Sequence, residues 1–163
     1  TNSWLIKKSY LDKYNIRFSP NIDWGEDMIF FSKVIMHEKN IKCVKEYLSE
    51  YHLNEANSLS ENNLDKIQKD INWMSEISTY INRYETDLNR KAIAIKAIRS
   101  YRLPGAIIYR LYSNLNIVDS HIIKRKLKEL QEYLKEMNFS NGIRSIKLYY
   151  FYFRLKLRLH KFI

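Results

Sequence analysis

The sequence predicts a mainly α protein, with a small mixed α/β segment over residues 1–60 followed by a helical bundle over residues 61–163. Three observations carry this. Apolar residues recur at spacings of three and four through the second stretch. Hydrophobic residues make up 45% of the 163, enough for a real core. Glycine occurs only three times and proline twice, so helices have few breaks. The same scarcity excludes a collagen-like or linker-rich chain and disfavours a Gly-rich phosphate loop.

The first stretch alternates short elements. Residues 3–14 read as a helix with Trp4, Leu5 and Leu11 inward. Asn15-Ile16-Arg17-Phe18 reads as extended and Ser19-Pro20-Asn21 as a turn. Residues 26–37 are dense in Met28, Ile29, Phe30, Phe31, Val34, Ile35 and Met36, which predicts a buried helix. Residues 41–44 and 47–53 alternate roughly and read as strands.

In the second stretch Leu64, Ile67, Ile71, Met74, Ile77 and Ile81 share one helical face, with Ser60 as the N-cap. Residues 88–101 form a helix with Ala92, Ile95 and Ile98 inward. Pro104-Gly105 interrupts it, and Pro104 suits the first turn of the next helix, to Tyr112. Asp119 or Ser120 caps a helix bearing Ile123, Leu127, Leu130, Leu134 and Met137. Asn141-Gly142 breaks the chain before a last helix over residues 143–161.

Charge is uneven. Residues 1–62 sum to −1 and residues 63–163 to +11, and no carboxylate follows Glu136. Such asymmetry points to an anionic partner, against the plain alternative of a solvated Lys-rich surface. Cys43 alone excludes an intrachain disulfide and a Cys-cluster metal site, and fits a reducing compartment. No apolar run reaches the ~20 residues that span a bilayer. No signal peptide is visible and the chain starts at Thr1, so an excised domain is expected. No zinc-finger, RNP-like or bZIP pattern is present, so a nucleic-acid module is not expected despite a pI near 9.6. His37, His121 and His160 lack metal-ligand spacing.

Trp24-Gly25-Glu26-Asp27 places two carboxylates at a helix start. One reading is capping, because unpaired amides favour acids there. The other is chemistry: a carboxylate at a cleft mouth accepts the proton of an attacking hydroxyl. Its context is an ordered series: Trp4, Lys7 and Lys8, Leu11, Asn15 to Phe18, Gly25-Glu26-Asp27, and Phe30 or Phe31. Ile41, Val44, Tyr47, Tyr51-His52 and Asn57-Ser58-Leu59-Ser60 continue it. Over residues 3–60 this series resembles the acceptor-side end of family 2 glycosyltransferases, inverting bacterial enzymes of GT-A fold. The resemblance implies Asp27 as catalytic base, Glu26 as its acidic neighbour on the acceptor, and Trp24 stacked beside the acceptor sugar. It implies His52 near the diphosphate, with a structural histidine as the alternative, since Leu48-Ser49-Glu50 departs from the usual Tyr-rich run.

The implied activity is transfer from a nucleotide sugar to a polysaccharide or lipid-linked acceptor in bacterial surface-polysaccharide synthesis. No Asp-x-Asp metal motif occurs in the sequence. The expectation is therefore a cytoplasmic piece that lacks its nucleotide-binding half, is inactive alone and holds no cofactor itself. A nucleotide sugar and Mg or Mn are expected in the complete enzyme.

The last helix adds a second expectation. Arg144, Lys147, Arg154, Arg158 and Lys161 follow one stripe with Phe151. Ile143, Ile146, Tyr150, Phe153 and Leu157 form another. Such a helix suits the inner face of an anionic membrane. The alternative is that its apolar sides pack on neighbouring helices while the basic stripe faces water.

Overall fold

In the computed structural model, which describes residues 4–37, 41–42, 45–46, 63–138 and 142–160, every regular element among the described residues is helical. The chain divides into two units, Thr1–Glu61 and Asn62–Ile163.

The first unit holds α1 (Lys8–Lys13) and α2 (Glu26–His37). Helix α1 is shorter than its apolar pattern predicts, because residues 4–7 run without helix into the cap at Lys7. In such a run side chains alternate between faces. Trp4 stacks on Phe31 at 4.7 Å and Ile6 packs on the core, whereas Leu5, predicted inward, is fully exposed. Asn15 reverses the chain with φ 49°, and the Ile16 amide donates back to the Leu11 carbonyl at 2.9 Å. That turn drives Ile16 into a core with Phe30 and Val34, ringed by Tyr10, Leu11, Tyr14 and Phe31. Tyr10 Oη donates to the Val34 carbonyl at 2.8 Å, tying α1 to α2. Arg17 bridges Asp12 at 2.6 Å and donates to the Ile16 carbonyl. The boundaries of α2 match the sequence expectation, but it is half exposed rather than buried all round, with Met28 and Ile35 facing outward. Ile41 and Lys42 carry no regular structure, and no strand occurs among the described residues. Cys43, Val44 and the strand expected over residues 47–53 lie outside them.

The second unit runs α3 (Lys66–Tyr84), α4 (Leu88–Ala97), a π turn (Ile98–Arg102), α5 (Leu103–Ser113), α6 (Ser120–Glu129), α7 (Gln131–Leu134) and α8 (Ile143–His160). Helix α3 starts at Lys66, whose amide donates to the Asn63 side chain; the expected cap, Ser60, lies outside the described residues. Helix α5 is central, packing against α3, α8 and α7. Its Ile107, Ile108 and Leu111 meet a core that includes Met74, Ile77, Ile123 and Leu155. Among the residues of α4 none is buried, so Ala92, expected inward, is exposed. Asp87 caps α4 by accepting the Asn89 and Arg90 amides at 2.9 and 3.0 Å. Asp87→Ala should therefore lower the urea midpoint, at a cost of about 1 kcal/mol. An unchanged midpoint would show that α4 holds without its cap.

The expected break at Pro104-Gly105 is absent. Pro104 has no N–H for the Ser100 carbonyl and its ring crowds that carbonyl. The chain widens into the π turn just before it, with the Leu103 amide reaching the Ile98 carbonyl, and continues into α5 without stopping. Asp119 caps α6 by accepting the His121 amide at 2.7 Å. The single helix expected after it is divided at Leu130, with both Leu130 and Leu134 kept in the core. Gly142, at φ 58°, opens α8: its carbonyl accepts the Ser145 and Ile146 amides. That left-handed backbone suits glycine.

Candidate functional site

The first unit gathers Trp24, Glu26 and Asp27 around the start of α2. Gly25, at φ 77°, adopts a conformation that a side chain would strain, and its carbonyl accepts the Ile29 amide at 3.0 Å. The turn starts the helix abruptly, so both carboxylates fall in its first turn. Both are half-buried, as is Trp24. Asp27 Oδ1 accepts the Met28 amide at 2.7 Å, which is a capping contact. A carboxylate accepts from more than one direction, so this bond leaves Oδ2 for an incoming hydroxyl. His52 lies outside the described residues.

In the second unit α8 presents three faces. Leu148, Leu155 and Leu159 are buried in the core. The stripe with Arg144, Lys147, Phe151, Arg154 and Arg158 turns toward α5. Phe151 meets Tyr112 edge-on at 5.4 Å, and the Arg154 and Arg158 guanidiniums lie over the same ring at 5.9 and 5.5 Å. These two arginines thus help hold α8 on α5 through cation–π contact. Lys161 lies outside the described residues. The third face is the exposed one: Ile143 is 84% exposed, Ile146 59%, Tyr150 53%, Phe153 60% and Leu157 45%. No helix among the described residues is long and apolar enough to cross a membrane.

The sequence reading missed a cleft of about 380 Å³ in this unit. Its wall includes Tyr101 and Arg102 from the π turn, Tyr109 from α5, and Arg144, Lys147 and Phe151 from α8. A buried ion pair also contributes to the wall: Arg110 Nε donates to Asp70 Oδ2 at 2.5 Å, while Asp70 Oδ1 accepts the Trp73 indole N–H at 3.1 Å. One signal was legible. The dipeptide Tyr-Arg occurs at 101–102 and again at 109–110, two turns on, so the pairs share one side of the continuous helix.

Among the described residues no three His, Cys, Asp or Glu side chains come together as a metal centre would require. No family model matches the chain, no curated protein matches it, and no solved structure matches it.

Proposed function

We propose that residues 1–60 are the acceptor-side end of an inverting family 2 glycosyltransferase of GT-A type, and that residues 61–163 are its helical C-terminal domain. The observation that carries the reading is the first turn of α2, which Gly25 starts and which holds Glu26 and Asp27 in succession after Trp24. Asp27 takes the proton of the acceptor hydroxyl as that oxygen attacks the anomeric carbon and the nucleoside diphosphate leaves. Glu26 holds a second hydroxyl of the acceptor, and the Trp24 indole offers a face to its ring. His52 stands near the diphosphate on the same resemblance. The donor and its Mg or Mn belong to a nucleotide-binding half; among the described residues no cluster would hold the metal. The role is sugar transfer to a polysaccharide or lipid-linked acceptor for the bacterial surface, in the cytoplasm at the membrane's inner face. The test is acceptor-dependent consumption of nucleotide sugars by the complete enzyme; a complete protein that turns over none of a broad donor panel would remove the reading.

The exposed apolar face of α8 favours a second role, peripheral attachment to an anionic membrane. Rings and aliphatic groups enter the interface while Arg144, Lys147 and Arg154 reach the headgroups. Ile146→Ser with Phe153→Ser should weaken binding to anionic vesicles at least tenfold, since each removes roughly 1.5–3 kcal/mol of available apolar burial. Arg144→Gln with Lys147→Gln should lose about 1 kcal/mol per charge, an effect that fades as salt screens it. Arg158→Gln differs, because it also loosens the contact with Tyr112. Vesicle binding that ignores the serine pair would confine α8 to the fold.

A further inference from the structure

We propose that the cleft walled by the π turn, α5 and α8 binds a phosphate monoester whose organic part is a ring or another apolar group. The proposal does not rest on the transferase reading. At about 380 Å³ the cleft falls within the range of small-molecule sites.

Besides Arg110, three cations line the cleft: Arg102 from the π turn, and Arg144 and Lys147 one turn apart on α8. The one carboxylate in the wall is Asp70, already engaged by Arg110 and Trp73. Glu85 pairs with Arg90, Glu136 with Arg99, Glu129 with Arg125, and Glu132 with Lys135, while Asp87 and Asp119 cap helices. Among the described residues, no ion pair engages Arg102, Arg144 or Lys147.

Arg144 is also in the first turn of α8, which carries no acid. A helix N-terminus is positive, so a cation there is unfavourable until an anion joins it. Three uncompensated cations exceed what one carboxylate neutralises; a phosphate monoester brings close to two negative charges and three acceptor oxygens. Guanidiniums match those oxygens in pairs and the lysine adds a point charge. The anion accounts for only part of the wall. Tyr101, Tyr109 and Phe151 supply ring faces, and Tyr109 is 64% exposed, so a bare phosphate would leave them in water.

A free organic phosphate and a lipid headgroup share this chemistry, and the experiment separates them. Titration calorimetry of the full chain compares phenyl phosphate with inorganic phosphate. Phenyl phosphate should bind about tenfold tighter, as expected for an added ring contact. Arg144→Gln with Lys147→Gln should weaken it at least tenfold, because two charge-assisted contacts are lost. Both side chains are exposed, so the fold should survive, as circular dichroism will report. Tyr109→Ser should erase the preference for the phenyl compound, while Lys124→Gln with Lys128→Gln on α6 should change nothing. No binding of phenyl phosphate, no preference for its ring, or an equal loss in the α6 pair would overturn the proposal. Vesicles of phosphatidic acid and of phosphatidylglycerol, matched in charge, form the second arm. A preference for phosphatidic acid that phenyl phosphate competes away assigns the site to a lipid headgroup; phenyl phosphate binding without that preference assigns it to a free organic phosphate.

Discussion

Arg110→Met is expected to lower the stability of the second unit by about 3–5 kcal/mol, the usual cost of removing one partner from a buried ion pair. The size follows from burial. The side chains of Arg110 and Asp70 are 9% and 6% exposed, so water would not replace the lost guanidinium. Asp70 would keep the Trp73 indole, a neutral donor that does not neutralise a carboxylate. The double variant Asp70→Leu with Arg110→Met should recover most of the loss, since apolar replacements of buried pairs are often neutral. It would still leave the Trp73 N–H without an acceptor, a residual cost of about 1 kcal/mol. Urea denaturation of the single and double variants checks this. A single variant within about 1 kcal/mol of the parent would mean that the pair is solvated and weak.

Asp27→Asn should abolish sugar transfer in the complete enzyme, by about 10²–10⁴ in rate. Asparagine keeps the size and an oxygen acceptor for the Met28 amide, so α2 should keep its start. What goes is the basic oxygen. Donor binding, measured with the nucleotide sugar alone, should be nearly unchanged, because the proposed role concerns the acceptor hydroxyl. Normal turnover would falsify the assignment and leave Glu26-Asp27 as a helix cap. Loss of turnover together with a lower melting temperature would point to the cap as well, so both readouts are needed.

The second unit was the more legible, because its pattern is long and its caps are local. Asp119 announced α6, and Ile67, Met74 and Ile77 reached the core as their spacing implied. Local signals also placed α2: a glycine, two acids, then a dense apolar run. Events set by neighbours were not visible. Leu5 points outward because the chain before Lys8 is not helical, which no periodicity over so short a run could show. Proline reads as a break, yet a π turn absorbed it. Asp70 and Arg110 lie 40 residues apart and meet only once α3 and α5 pack. Neither periodicity nor capping pairs residues so far apart, and the cleft they line left only the repeated Tyr-Arg dipeptide as a trace in the sequence. Around α2 the carboxylates could be found from sequence, whereas Asp27's contact with the Met28 amide required coordinates.

A π turn is an α-helix carrying one extra residue, and that arithmetic reaches well beyond residues 98–102. Each residue of an α-helix advances the azimuth by about 100°. The wide turn absorbs its added residue, so positions downstream keep nearly the phase that a regular helix one residue shorter would give them. Deleting one position inside the π turn would therefore leave Arg110, Tyr109, Ile107 and Leu111 close to their present directions, although it would return Pro104 to a regular turn, where its ring crowds the carbonyl four residues before it. Deleting one position from the regular first turn of α5 would instead swing everything after it by about that angle, and core, ion pair and cleft would change phase together. The freedom of this rod to lose a residue is thus concentrated in the π turn.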